Sequence, residues 1–129
     1  MADIFDTILF EGTYSETISV KKKLTFTLRS RTVEEVMAIN DLVENKEFKT
    51  QGAALDEQLF RHLSYALVNY NGVSWEHLTA EQRAEKIKKF PAPIMQLLTS
   101  KLGEFDKKVS DACKEGEENF SPTPGQEAG

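Results

Sequence analysis

Apolar residues recur at steps of three and four positions from Ala53 to Tyr70, which is the strongest helix signal in the chain. This spacing places them on one face of a helix, with polar residues on the opposite face. The apolar face consists of Leu55, Leu59, Leu63, Ala66, Leu67 and Tyr70. The pattern predicts a long helix around which the other elements pack. The following Asn71-Gly72 predicts its end, because Gly readily takes the left-handed conformation.

A different pattern, the alternation of apolar and polar residues, predicts β-structure within residues 3–29. Leu24–Arg29 alternates cleanly, as is typical of a half-buried antiparallel strand. Tyr14–Val20 is a weaker segment of the same kind, and Ile8 and Phe10 suggest a further short strand. The N-terminal part therefore predicts two or three strands that dock on the helices or on a partner.

Two capping boxes predict where further helices begin. Thr32 is followed three residues later by Glu35, and Thr79 by Gln82. In such a pair the Thr hydroxyl accepts from a backbone N–H of the first turn, and the Glu or Gln side chain reaches back to the cap. The first of these helices is predicted to end near residue 45 and the second near residue 90.

A last helix follows two prolines. Pro91 ends the preceding helix, since it lacks a backbone donor and disfavours helix in the residue before it, whereas Pro93 fits a first helical turn. The apolar stripe of the last helix consists of Ile94, Leu98, Leu102, Phe105, Val109 and Ala112. From Lys114 onward Glu, Gly, Ser and Pro dominate, which predicts a disordered tail.

These elements predict an α+β fold with two or three N-terminal antiparallel strands followed by about four helices. Residues 1–113 are predicted to form a single globular domain, because a chain of 129 residues supplies one hydrophobic core. Residues 114–129 are predicted to form a disordered acidic tail, since they contain one Lys and four Glu and so carry −3 of the net charge of −5.

Composition narrows the class of protein. A hydrophobic content of 40% and a charged content of 29% are ordinary for a soluble domain. The net charge of −5 argues against a general nucleic-acid binder. Cys113 is the single cysteine, which excludes an intrachain disulfide. The N-terminus is acidic where a signal peptide is basic, and no apolar run is long enough to cross a bilayer, so we expect a cytosolic protein without membrane contact.

Residues with catalytic potential do not stand in a recognisable motif. His62 and His77 have no second His or Cys at the spacing of a zinc site. Cys113 lacks the context of a nucleophile, and no glycine-rich phosphate-binding loop is present. We therefore expect a protein that is not an enzyme and that uses no cofactor and no metal.

Two other interpretations remain open. In the first, His62 and the acidic residues of the central helix form a small active site, so that His62→Ala abolishes an activity and leaves folding unchanged. In the second, the basic residues of Arg83–Lys89 bind an anionic partner such as a nucleic acid, with an affinity that falls as salt rises.

Apolar stripes are the remaining functional signal, and most of them are expected to form the core. A protein that holds a client must expose some apolar surface or a free strand edge. The strands and the last helix carry more apolar surface than a small domain readily covers. The candidate partner-binding residues are Leu24, Phe26 and Leu28 in the strand and Ile94, Leu98, Leu102, Phe105 and Val109 in the last helix.

The order of these features resembles a known family. A strand ends in Leu24–Thr32, a helix opens from its Arg-Ser-Arg-Thr stretch, and the long helix ends in Asn69–Gly72. Arg83 is then followed by Ile87-Lys-Lys-Phe-Pro-Ala-Pro-Ile94 and the last helix. Over about residues 20–110 this order is similar to small tail- or baseplate-hub-assembly proteins of tailed bacteriophages, including the tail assembly chaperones.

The resemblance implies a non-enzymatic protein of the host cytoplasm. It would bind a phage tail or baseplate protein, such as the tape measure or a hub subunit, during virion assembly, and it would bind no nucleic acid. Homo-oligomerisation is compatible with this interpretation. The alternative that the resemblance leaves open is a permanent structural subunit of the phage tail or baseplate.

Overall fold

The computed structural model describes residues 3–120, with side chains through residue 115. These residues form five helices and four strands. The helices are α1 (Ile4–Glu11), α2 (Val33–Glu44), α3 (Gln51–Ala66), α4 (Ala80–Ile87) and α5 (Ala92–Phe120). The strands are β1 (Ser15–Val20), β2 (Leu24–Arg29), β3 (Leu67–Tyr70) and β4 (Val73–Ser74).

The strands form one antiparallel sheet in the order β1-β2-β3-β4, so that each strand pairs with its neighbour in sequence. In the register, Ile18 lies opposite Phe26, and Phe26 lies opposite Tyr70 on its other side. A register irregularity separates Thr27 from Leu28, where Leu28 pairs with Leu67. The α+β class predicted from the alternating and helical patterns is confirmed.

One face of the sheet carries the core and the other carries hydroxyl side chains. Phe26 and Leu28 of β2 are fully buried, as the alternation in that strand predicts. On the opposite face, the hydroxyls of Thr17 and Thr27 hydrogen bond across the two strands at 2.9 Å. The core forms between the apolar face and helices α3, α4 and α5, and its other members are Leu63, Ala66, Leu67, Trp75, Ile87, Leu98, Leu102 and Phe105.

Both predicted capping boxes are present. Glu35 N–H donates to the Thr32 hydroxyl and Thr32 N–H donates to the Glu35 carboxylate, at 3.2 and 2.9 Å. The same reciprocal pair joins Thr79 and Gln82 at the start of α4. Arg29 adds a bidentate ion pair to Glu35, at 2.8 and 2.6 Å, so the end of β2 is clamped to the start of α2. Hydrogen bonding from Arg29 is the main reason that the pKa of Glu35 lies below its ordinary value.

The prediction of a short strand at Ile8 and Phe10 is wrong. These residues belong to α1, which begins at the N-cap Asp3 and ends at Gly12 with a φ of 84°. Asp3 accepts a hydrogen bond from the backbone N–H of Asp6, which satisfies one donor of the first turn. Asp3 and Gly12 were the local signals for this helix, and an alternation of only two residues cannot outweigh them.

The central helix ends four residues earlier than predicted. It ends at Ala66, and Leu67–Tyr70 forms strand β3 instead of a last helical turn. Asn71-Gly72 joins β3 to β4 as a hairpin turn, with φ values of 54° and 86°, where the prediction made it a helix end. Asn-Gly between strand-forming residues is a strong hairpin signal, because both positions tolerate positive φ. The pairing of Tyr70 with Phe26 stabilises the extended conformation of Leu67–Tyr70.

Helix α5 also differs at its end. It begins after Pro91, with Pro93 in its first turn, as the sequence predicts. It continues to Phe120, past residue 114, where the sequence predicts the tail to start. The remaining part of the predicted tail, residues 121–129, lies outside the described residues.

Candidate protein-binding surfaces

The predicted partner-binding residues lie in or against the core. Five of them are at most 3% exposed, namely Phe26, Leu28, Leu98, Leu102 and Phe105. The other three are partly buried and pack against these, namely Leu24, Ile94 and Val109. In the folded chain they contact one another, so a partner would reach the five buried members only by opening the core. Any docking surface of the folded protein must therefore use side chains other than these five.

Large apolar side chains are exposed on the three N-terminal helices. Leu9 and Phe10 of α1 are 55% and 80% exposed. Each of the next two helices carries a pair four residues apart and therefore on one face. These pairs are Val33 and Met37 of α2, and Leu55 and Leu59 of α3.

The pair on α3 borders a groove between two helices, which we call the α3–α5 groove. It has a volume of about 260 Å³ and is lined by Asp56, Leu59, Ala92, Met95, Gln96 and Thr99. Leu59 is 38% exposed, and Leu55, one turn earlier on the same face, is 55% exposed. Thr99 turns its hydroxyl back to the carbonyls of Met95 and Gln96, so it offers the groove mainly its methyl group. The groove thus combines an apolar floor with polar groups at its rim.

A second groove runs between β1 and α5, and we call it the β1 groove. It has a volume of about 270 Å³ and is lined by Glu16, Ile18, Lys101, Glu104, Phe105 and Lys108. Lys108 donates to both carboxylate oxygens of Glu16, at 2.7 and 3.0 Å, which ties the strand to the helix. The hydrogen bonds that Lys108 donates to Glu16 raise the pKa of Lys108. Beside this pair the Tyr14 ring stacks on Phe105, with centroids 5.9 Å apart.

His62, the residue proposed for an active site, lies half-buried on α3 beside an ion pair that joins two distant parts of the chain. Arg31, whose side chain is 8% exposed, pairs with Asp106 of α5. Burial lowers the pKa of His62, the positive charge of Arg31 lowers it further, and Asp106 acts in the opposite direction. Among the described residues, the His62 Nδ1 and the Arg31 Nε have no hydrogen-bond partner.

The basic segment Arg83–Lys89 is divided between core and surface. Arg83 is 6% exposed, and its guanidinium donates to the backbone carbonyls of Trp75 and Tyr65, both at 3.1 Å. Burial lowers the pKa of Arg83. Arg83 thus fastens α4 to the end of α3, and the cations that this segment presents to solvent are Lys86, Lys88 and Lys89.

Two further observations concern residues 3–120. Among the described side chains, no three His, Cys, Asp or Glu residues converge in a way that would hold a metal ion. Within the same residues, no helix is both long enough and apolar enough to span a membrane.

Cys113 is a free thiol and is partly buried on α5.

Comparisons with known proteins add no relative. No protein-family model matches the chain, and no curated protein or solved structure shows significant similarity to it.

Sequence reasoning missed both grooves for a common reason. Each groove joins residues from distant parts of the chain, and periodicity reports only which residues share a face. The signal that pointed to the α3–α5 groove was the length of the α3 stripe. From Leu55 to Ala66 it runs through about three turns, more than one short sheet can cover.

Proposed function

We propose that this protein is a non-enzymatic assembly chaperone of a tailed bacteriophage. It binds a tail or baseplate component, such as the tape measure protein or a hub subunit, in the host cytoplasm during virion assembly. It holds an apolar helix of that component in the α3–α5 groove and releases it when the component is incorporated.

The exposure of Leu55 and Leu59 beside this groove carries the proposal. They lie one helical turn apart, about 6 Å along α3, which is the spacing at which a partner helix presents its own i and i+4 residues. Covering two partly exposed leucines removes apolar surface from water, worth about 1–2 kcal/mol each. Asp56 and Gln96 at the rim favour a helix whose polar flank includes Lys or Arg.

The order of elements supports the phage context. The capped helix α2 after the strands and the proline-initiated last helix are features that resemble the phage assembly proteins. The proposed mode of binding also explains why this small α+β domain exposes leucines at helical spacing. A surface of this kind is unfavourable for a protein that has no partner.

Co-expression tests the proposal directly. The tagged protein is expressed together with each tail and baseplate protein of the same phage and purified, and co-purifying proteins are identified by mass spectrometry. We expect one tail or baseplate protein to be retained. Replacement of Leu55 and Leu59 by Ser should abolish its retention, whereas replacement of Val33 and Met37 by Ser, a matched exposed pair on α2, should leave it unchanged. Failure to retain any tail or baseplate protein would contradict the proposal.

A density gradient of infected-cell lysate separates a chaperone from a structural subunit. A chaperone migrates with assembly intermediates and is missing from finished particles. A fixed copy number in finished particles would instead identify a permanent subunit of the tail or baseplate.

A further inference from the structure

The two edges of the sheet differ in what they offer to another chain. Strand β4 has only two residues, which is too short to template a further strand. Strand β1 has six residues, is straight in its pairing with β2, and contains no proline. Within the described residues it has a partner strand on one side only.

Hydrogen bonds to β2 decide which backbone groups of β1 face the free edge. Ser30 N–H donates to the Tyr14 carbonyl at 2.8 Å, so Tyr14 directs its backbone groups toward β2. On the far side of β2, Asn71 N–H donates to the Thr25 carbonyl at 2.6 Å, which fixes the same alternation. Since this direction alternates along a strand, Ser15, Thr17 and Ser19 point their N–H and C=O groups away from β2.

Natural edge strands are commonly protected by several charges, and β1 carries one charged residue, which is already paired. Its single charged residue is Glu16, which faces inward and is neutralised by Lys108 at 2.7 Å. Its other residues are Ser, Thr, Ile and Val, of which Thr, Ile and Val favour strands. A strand added at this edge would place alternate side chains over the β1 groove, with one of them against Ile18.

Charge at one end of this edge specifies the partner further. Lys21, Lys22 and Lys23 form the turn after β1 and are all exposed. No ion pair within residues 3–115 involves them, whereas Lys101 and Lys108 of the groove are paired with Glu104 and Glu16. This basic end lies in a chain with a net charge of −5, so it is a local feature and not part of a general basic surface.

We propose that the free edge of β1 binds an extended, acidic segment of a partner protein as a fifth strand of the sheet. The segment runs antiparallel to β1, rests an apolar side chain on Ile18, and carries carboxylates where it passes Lys21–Lys23. This site is distinct from the α3–α5 groove, and it does not depend on the phage assignment.

Nuclear magnetic resonance of the full-length ¹⁵N-labelled protein tests this with defined peptides. The probe is Glu-Glu-Glu-Thr-Val-Thr-Val-Thr, whose acidic end meets the lysine turn in an antiparallel arrangement. The control peptide has Lys-Lys-Lys in place of Glu-Glu-Glu. We expect the acidic peptide to shift the amide signals of Ser15, Thr17 and Ser19, and to bind roughly tenfold more tightly than the basic one, because unlike charges replace like charges.

One residue separates backbone pairing from other modes of binding. Ser19→Pro removes an outward N–H and leaves the hydrogen bonds between β1 and β2 in place, since proline is tolerated on an edge strand. Ser19→Ala keeps that N–H. We expect the proline variant to weaken binding by roughly tenfold and the alanine variant to leave it unchanged. A circular dichroism melt confirms that both variants remain folded.

A second variant tests the charge. Lys21 and Lys22 have φ values of 53° and 57°, so Lys21→Asn with Lys22→Gly keeps the turn with better-suited residues and removes two charges. We expect this double variant to bind the acidic peptide several-fold more weakly while its melting temperature stays the same or rises.

Other results would overturn the proposal. Amide shifts at the α3–α5 groove alone, equal binding of both peptides, or no shift at millimolar peptide would each do so. Sedimentation that shows a dimer for the wild type and a monomer for Ser19→Pro would assign this edge to a second copy of the chain. A negative result at β1 would leave the co-purification result with Leu55 and Leu59 unaffected, so the two proposals fail separately.

Discussion

Helices α3 and α5 carry apolar stripes of the same spacing and similar composition, but their surroundings differ. In α5, Leu98 and Leu102 are at most 2% exposed because they lie against the apolar face of the sheet. In α3, Leu63 is fully buried in the same core, whereas Leu55 and Leu59 are 55% and 38% exposed. The first half of α3 extends beyond the covered region and borders the α3–α5 groove.

This difference shows that periodicity identifies the apolar face of a helix but not what covers that face. A helix of sixteen residues is about 24 Å long, longer than the strands on which it packs. One end of such a stripe therefore stays uncovered unless another element or another protein meets it. The buried stripe stabilises the fold, and the uncovered stripe is available for recognition.

Truncation of one leucine in each stripe gives the largest expected contrast. Leu102→Ala removes a core side chain and should lower the free energy of unfolding by about 2–5 kcal/mol, through lost burial and the cavity left behind. Leu55→Ala should change it by no more than about 0.5 kcal/mol, because that side chain is already largely exposed. Urea denaturation of the two variants measures both values. Equal losses would show that the α3 stripe is covered in solution.

The ion pair between Arg31 and Asp106 connects α5 to the segment between β2 and α2, and its loss should have an intermediate effect. Asp106→Asn leaves the buried Arg31 guanidinium without its carboxylate and should destabilise the fold by about 1–2 kcal/mol. Asp111→Asn is the matched control, since its pair with Lys107 is exposed and should contribute little. A similar loss in both variants would show that Arg31 finds another partner.

His62 should give the smallest effect, as a dependence of stability on pH. Burial and the charge of Arg31 hold the pKa of His62 below the ordinary value of 6.5. Below that pH the unfolded chain takes up a proton that the folded chain does not, so stability is full above pH 6.5 and declines as the pH falls. The slope from this group is at most about 1.4 kcal/mol per pH unit.

Denaturation between pH 5.5 and 7.5 measures this slope. Comparison with His62→Gln isolates the histidine, because the variant keeps a polar side chain that does not titrate. An unchanged slope in the variant would assign the pH dependence to other groups. The ratio of the two slopes also reports whether this part of α3 is buried in solution, which extends the comparison of the two helices.

Elements with local signals were predicted from the sequence. These elements depend on residues that are close together in the chain. They are the strands β1 and β2, the capping boxes at Thr32 and Thr79, and the start of α5 after Pro91. Two other elements have local signals that compete with stronger patterns. The signals of helix α1 compete with the alternation at Ile8 and Phe10. Those of the hairpin at Asn71-Gly72 compete with the long apolar stripe of α3. Those errors concern competing signals within a short segment.

The candidate sites depend on the tertiary structure. The sequence by itself determined the α+β class, the faces of the helices and the absence of an intrachain disulfide, because composition and spacing are local properties. Only the tertiary structure decided that the apolar stripe of α5 is buried, that Leu55 and Leu59 are exposed, and that β1 is the free edge. Burial depends on which distant residues cover a face, and spacing along the chain carries no record of that.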